Sequence, residues 1–232
     1  MADDVLDNPV FQSLMGAHHP LALTEGRVVR YPANISPFMA VPHDMTADEW
    51  DDAARLAGDD PVTLLDAPST VPSTWVVLRQ FTVIQMTGRY VRNGERSLPV
   101  RMEFPAPVRL GLADVDDMLQ LAARTKPGPF EQRTYELGTY IGIRDHGKLI
   151  AMAGERMKPE GWSEISAVCT DPAYRSRGLA RSLMQALIDS IRDCGQQPFL
   201  HVVEGAPAIR LYEAMGFTVR RSLLVSSFQH AY

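Results

Sequence analysis

The stretch VCTDPAYRSRGLARSLMQALIDSI, residues 168–191, places a proline, three arginines and one glycine ahead of a long apolar stripe. Leu179, Leu183, Leu187 and Ile191 fall four apart, with Ala180, Met184 and Ile188 beside them, which is one continuous face of an amphipathic helix. Gly195 stands where a left-handed C-terminal cap is expected. Asp171 and Pro172 end the preceding segment and start a turn. The first N–H groups of a helix lack intrahelical acceptors, and the macrodipole adds partial positive charge there, so this helix start is a candidate anion site. Gly178 lets backbone approach a ligand without a Cβ in the way. Arg175, Arg177 and Arg181 can add charge-assisted bonds to phosphate oxygens. Taken alone, R-x-x-G-x-A is equally a solvated helix start with scattered arginines.

Composition narrows the function classes. The formal net charge of −5 argues against a nucleic-acid or membrane-surface binder, because both need a basic footprint. An anion bound by this chain must therefore be gripped locally. The opening residues MADDVLDNP lack the basic and apolar regions of a signal peptide, and no apolar run approaches spanning length. Cys169 and Cys194 form no metal or redox spacing, and the histidines show no ligand pattern, so a metal-free protein of the reducing cytoplasm is expected. No P-loop, no dinucleotide-binding G-x-G-x-x-G and no G-x-S-x-G elbow occurs.

The chain reads as two halves of a mixed α/β protein. RYVRNGERSLPVRMEFPAPVRLG (89–111) is charged, and Pro99, Pro105 and Pro107 discourage regular structure, so a boundary is expected near residue 104. The division is then 1–104 and 105–232. In the second half, VRLG is a strand and LADVDDMLQLAART a helix with Asp114 near its start. TYIGIRDHGKLIAMAGERM reads as two strands turning at Asp145–Gly147, and GWSEISAVCT as another strand. After the opening stretch come the strand PFLHVV, the short helix APAIRLYEAMG, and a last strand or strand pair in FTVRRSLLVSSF. The first half repeats the order in shortened form. RVVRY and SPFMAVP are strands, TADEWDDAARLAG is a helix capped by Thr46, and VTLL and TWVVLRQFTVIQM are further strands. Its strand-to-helix turn, VPHDMTADEW, carries Asp44, Asp48 and Glu49 and no glycine. Such a turn repels phosphate.

DPAYRSRGLARSLMQAL resembles the acyl-CoA motif of the GNAT superfamily of N-acetyltransferases, (Q/R)-x-x-G-x-(G/A), with Arg175, Gly178 and Ala180 at its defined positions. APAIRLYEAMGF resembles the family's second motif, N-x-x-A-x-x-L-Y-E-x-x-G-F, at Ala208, Leu211, Tyr212, Glu213, Gly216 and Phe217. The motif's asparagine falls on Gly205, which removes one contact to the cofactor's arm. The resemblance covers residues 107–228. It implies the GNAT fold, a central mixed sheet flanked by helices, with the N-terminal half a degenerate GNAT-like repeat or accessory domain. It also implies acetyl-CoA as acyl donor, its arm lying in a splay between SEISAVC and PFLHVV. The backbone of Val168, Cys169 and Thr170 would border that arm. Arg175, Ser176, Arg177, Gly178, Leu179, Ala180 and Arg181 would hold the pyrophosphate.

The implied reaction is direct attack of a primary amine on the thioester in a ternary complex. It needs a neutral amine, a donor for the oxyanion and a proton for the leaving thiolate. Tyr212 is the candidate proton donor, since a phenol with a pKa of about 10 stays protonated where a thiol of about 8.5 begins to ionise. Glu164, on the strand bordering the thioester, is the candidate base, with Glu155 on the preceding strand as the other choice. Either could instead pair with an arginine. Cys169 reads as a buried strand cysteine rather than a nucleophile. Trp75 and Trp162 read as core or edge-strand residues. The expected acceptor is a small amine or amino acid, bound in part by ARTKPGPFEQRTYELGTY (123–140). The alternatives are a protein lysine or N-terminus, or a non-catalytic acyl-CoA sensor.

Overall fold

The computed structural model describes residues 4–89 and 104–231. The expected boundary segment therefore lies largely outside the described residues, Pro99 included. In chain order the elements are α1 (Pro9–Met15), β1 (Leu23–Glu25), β2 (Val28–Arg30), β3 (Met39–Ala40), α2 (Ala47–Ala57), β4 (Val62–Leu65) and β5 (Trp75–Thr87). After the gap follow β6 (Val108–Leu110), α3 (Val115–Thr125), β7 (Tyr140–Asp145), β8 (Lys148–Glu155) and β9 (Trp162–Thr170). The chain closes with α4 (Leu179–Asp193), β10 (Gln197–Val203), α5 (Ala208–Ala214) and β11 (Thr218–His230).

Eight strands form one sheet in the order β4-β11-β5-β10-β9-β8-β7-β6, and β1, β2 and β3 form a small second sheet. β9 and β10 are parallel because the intervening α4 returns the chain to the same end. The apolar stripe read from the sequence is the reason α4 sits where it does. Leu183, Met184, Leu187, Ile188 and Ile191 are buried against Ile150, Ile165, Leu200 and Met86, and Tyr212 and Phe217 join the same core. On the opposite face α3 packs Met118 and Leu121 over Tyr140, Met152 and Ala167. The strands β7 to β10 are thus covered on both sides, as strands joined by a crossover connection require.

Strands of both halves share the eight-stranded sheet. The strands of the first half do not close into a second copy of the fold among the described residues. Instead β5 inserts between the last two strands of the chain, pairing antiparallel with β10 from Val83↔Val203 to Thr87↔Phe199 and with β11 along nearly its whole length. β4 then pairs with the outer edge of β11. Residue 104 does not divide the sheet. Element order along a chain carries no record of strand partners, so the sequence could not distinguish a repeat from an insertion.

The remaining N-terminal residues cover the sheet face opposite α4. Leu6, Val10, Leu14, Tyr31, Ile35 and Phe38 pack on Leu137, Met157, Trp162 and Phe199. Ring nitrogens of the buried His18 lie 2.9 Å from the Tyr31 hydroxyl and 2.9 Å from the Leu137 carbonyl, fixing this segment to the body. The Arg133 N–H donates to the Asn34 carbonyl, and the Thr134 hydroxyl to the Ile35 carbonyl at 2.7 Å. The helix α1, which sequence periodicity missed because it has only two turns, starts at Asn8, whose side chain accepts from the Phe11 N–H.

Candidate functional site

Two helix starts differ in what already occupies them. At α2 the Thr46 hydroxyl and the Glu49 carboxylate form a complete capping box, so its first N–H groups are served by its own side chains. At α4 the N-cap is Gly178, in a left-handed conformation with φ +78°, and no side chain caps the helix. A Cβ built on Gly178 meets nothing within 4 Å, so the backbone here opens outward. Ser176, two residues earlier, also has positive φ (+62°), the kind of turn from which backbone N–H groups can form an anion-binding concavity. These features fit an anionic group lying on the N–H groups of residues 178–181. Acetyl-CoA carries such a group in its pyrophosphate.

The arginines divide their work. Arg177 lies over the rings of Tyr174 and Phe104, 5.4 and 5.7 Å from their centroids. Arg181 reaches the Ala214 carbonyl at 3.3 Å, tying α4 to the end of α5. Arg175 stays at the mouth, its Nε 3.5 Å from the Thr170 carbonyl. The turn before them is set by Asp171, which accepts from the Ala173 N–H and is held by Lys148 at 2.9 Å.

Next to this helix start, β9 and β10 part. Their parallel pairing runs Trp162↔Gln197, Ser163↔Pro198 and Glu164↔Phe199, then ceases. Beyond that point β9 pairs only with β8 and β10 only with β5, which leaves a V between them. A bulge marks β9 inside the V. Cys169 opposes Met152 and Ser166 opposes Gly154, so three steps on β9 face two on β8, and Ala167 takes φ +53°. The bulge turns Ala167 into the α3-side core and leaves Val168 half-buried beside the main core. The expected splay, the backbone of Val168 and Thr170 along it, and the arginine–glycine turn at its open end therefore lie together.

The predicted reactive side chains fare differently. Tyr212, on α5, is buried in the same core as Val202 and Leu200 of β10, and burial pushes its phenol up to about 12. It stays protonated at neutral pH and so has a proton to donate. Glu164 sits at the apex of the V, but fully buried and fully engaged. Arg156 grips it with two bonds of 2.6 and 2.9 Å, and His201 Nδ1 lies 2.8 Å from its Oε1. Burial alone would raise this carboxyl, yet the charge and hydrogen bonds of Arg156, helped by His201, hold it well below the usual carboxylate range. A carboxylate so held is a poor proton acceptor. Glu155 is equally committed, to Lys158 and to the Thr139 N–H. Burial pushes the Cys169 thiol up to about 11 and its side chain faces α3, as expected for a structural cysteine. Trp75 and Trp162 are core residues, 5% and 0% exposed.

The residues that sequence reasoning missed are Arg156, His201 and Gln85. Gln85 Nε2 donates to the Leu6 carbonyl at 2.9 Å and lies 3.0 Å from His201 Nε2, while its Oε1 accepts from Arg220. Gln85 thus fixes the imidazole proton on Nδ1, where it points at Glu164. The only signal in sequence was a histidine inside the apolar strand PFLHVV.

Comparison with known proteins places the same region. The FR47-like protein family profile matches residues 140–225. A solved structure from Novosphingobium aromaticivorans, assigned to the GNAT family of acetyltransferases, is 35% identical, with a TM-score of 0.84 over 98% of this chain and 99% of that one. The chain belongs to the GNAT family. Members of this family use acetyl-CoA as acyl donor, which agrees with the open helix start and the splay. Among curated relatives, the L-methionine sulfoximine/L-methionine sulfone acetyltransferase of Salmonella typhimurium is 40% identical over 86 residues, 36% of this chain and 47% of that protein. The N-alpha-acetyltransferase RimI of Mycobacterium tuberculosis is 35% identical over 82 residues, 34% of this chain and 51% of that protein. The chain spans about half or less of the length of the curated relatives it matches. Those matches each cover about a third of this chain. Among the described residues no helix is long and apolar enough to cross a membrane.

Proposed function

We propose that this GNAT-family chain transfers an acetyl group from acetyl-CoA to the primary amine of a small molecule or amino acid, in a reducing cytoplasm. The observation that carries the reading is the uncapped N-terminus of α4, opening beside the V between β9 and β10. Residues 105–232 carry the acyl-CoA side. The first half, proposed as residues 1–104, supplies an accessory wall through its described residues before β4, because α1, β2 and the turn at Asn34–Ile35 pack over the opposite face and pin Arg133 and Thr134. A face walled in this way favours a small acceptor over a protein chain. The net charge of −5 adds weak steering of a cationic amine.

Bound acetyl-CoA supplies an activated thioester, whose acyl carbon forms a bond to the amine nitrogen as its bond to sulfur breaks. The N–H groups of Gly178, Leu179, Ala180 and Arg181, with Arg175 at the mouth, hold the phosphates. The backbone of Val168 and Thr170 aligns the arm, and Cys169 between them turns its thiol away. The Tyr212 hydroxyl gives its proton to the departing sulfur and takes one back from solvent, so that the phenol is restored for the next turnover. Glu164, the residue expected to act as base, serves instead to fix the strands, and the amine proton passes to solvent.

The decisive experiment follows free-thiol release from acetyl-CoA with a panel of amino acids, methionine sulfone, polyamines and an N-terminal peptide. Release with small amines supports the reading. Release with the peptide alone moves the acceptor to protein N-termini, and tight binding of acetyl-CoA without release above background makes the chain a sensor.

A further inference from the structure

The V between β9 and β10 is closed at its apex by side chains as well as by backbone. Where pairing stops, at Glu164↔Phe199, Glu164 of β9 bonds to His201 of β10 across the gap at 2.8 Å. Glu164 is 0% exposed, and the side chains of His201 and Arg156 are 5% and 11% exposed. The clasp is stiff on both flanks. Arg156 holds Glu164 through two bonds and stacks over Phe38, 4.9 Å from its centroid. His201 is held by Gln85, which is fixed in turn by Leu6 and by Arg220, and Arg220 bonds to Asp7 at 2.6 Å. The N-terminal half therefore supplies the outer anchors of a clasp set in the second half.

The position of the clasp bears on what the V accepts. An acyl-CoA anchored by its phosphates at the start of α4 enters from the Thr170 end and directs its acyl group down β9 toward Glu164. At about 3.3 Å per residue, the stretch of β9 from Thr170 to Glu164 measures about 20 Å. On the α4 face of the V, Ile165, Leu183, Leu187 and Leu200 are already packed in the main core. A chain longer than acetyl that continues along β9 meets Glu164 and His201. Methylene groups there would part a buried, charge-assisted hydrogen bond and leave the His201 Nδ1–H without its acceptor, which is more costly than filling an apolar slot.

We propose that the His201–Glu164 clasp is the acyl-length determinant of this chain, restricting the donor to acetyl and excluding longer acyl-CoA thioesters. The proposal rests on the acetyltransferase reading above. His201 is the residue to vary, because its removal leaves Glu164 still paired with Arg156, so the buried carboxylate keeps a partner. His201→Gln can preserve a donor toward Glu164 and is the matched control.

The test measures kcat/KM for acetyl-, propionyl-, butyryl- and hexanoyl-CoA, and in parallel the binding of each thioester by calorimetry without acceptor. Wild-type protein is expected to favour acetyl over butyryl by at least about 100-fold, since one methylene in a merely snug pocket discriminates by about 10- to 200-fold and this site adds a buried, charge-assisted hydrogen bond. His201→Ala is expected to lower acetyl turnover and narrow the acetyl-to-butyryl ratio at least about tenfold, with His201→Gln staying near wild type. Butyryl-CoA turned over by wild type as well as acetyl-CoA overturns the proposal, whether or not the variants fold. So does a ratio unchanged in a folded His201→Ala protein. Failure of every thioester to bind refutes the parent reading instead, and is distinguished by the calorimetry.

Discussion

Gly178 and Gly195 bracket α4 and share a left-handed backbone, with φ of +78° and +74°. A Cβ added at either position meets no protein atom within 4 Å. Alanine at each site should therefore carry the same conformational penalty, about 1–2 kcal/mol for an L-residue held in the left-handed region. For a chain of this size that corresponds to a fall in Tm of about 2–8 °C. The two sites differ in what lies outside the protein. At Gly178 the open space is where a pyrophosphate would rest on the helix start, and a methyl group there pushes the anion off the N–H groups. Losing one charge-assisted hydrogen bond costs about 1.5–3 kcal/mol, so Gly178→Ala should weaken acetyl-CoA binding by about ten- to a hundred-fold. Gly195→Ala should leave that affinity unchanged. Thermal unfolding and isothermal calorimetry on both variants give the comparison. Equal losses of affinity, or none at Gly178, would refute the assignment of this turn as the phosphate cradle and reduce Gly178 to a backbone requirement.

Tyr212→Phe should lower kcat by about a hundred- to ten-thousandfold while leaving the Kd for acetyl-CoA near wild type, a split that single-turnover and binding measurements resolve. Glu164→Gln should behave as a stability variant, because it leaves Arg156 buried without its counter-charge, and a loss of about 3–5 kcal/mol is expected by urea unfolding. A stable Glu164→Gln protein that has lost only the acidic limb of its pH–rate profile would restore Glu164 as the base. Burial holds His18 down to about 4 in the folded chain, against an unfolded value of 6.5. Its contribution is therefore fully present above pH 6.5 and is lost as pH falls toward about 4, since only the unfolded chain takes up the proton in that window. The loss should approach about 3 kcal/mol, and unfolding free energies of His18→Gln should be flatter with pH over the same range.

Much of the local structure was legible because it rests on local physics. Thr46 and Glu49 read as a cap and are one, the stripe from Leu179 to Ile191 faces the core, and His146 and Gly147 supply the positive φ angles of the β7–β8 turn. Within the site, the arginine–glycine turn and Tyr212 were visible because two short motifs stand at fixed distances along the chain. Arg156, His201 and Gln85 carry no such spacing. Arg156 follows β8, His201 lies on β10 and Gln85 on β5, and only the folded sheet brings Arg156 and His201 onto Glu164, with Gln85 behind His201. Glu164 illustrates the difference most clearly. Its place beside the V followed from the sequence, but its reactivity depends on neighbours 8 and 37 residues away.

The sequence by itself determined the open helix start, its contrast with the acidic, self-capped start of α2, and the apolar face that docks α4. These depend on residues within a turn or two of one another. Only the tertiary structure decided that β5 completes the sheet between β10 and β11, that the N-terminal residues cover the sheet face opposite α4, and that Glu164 is buried between Arg156 and His201. Strand partners and buried ion pairs are chosen by burial and hydrogen-bond satisfaction across the whole sheet, and those terms exist only once distant segments meet.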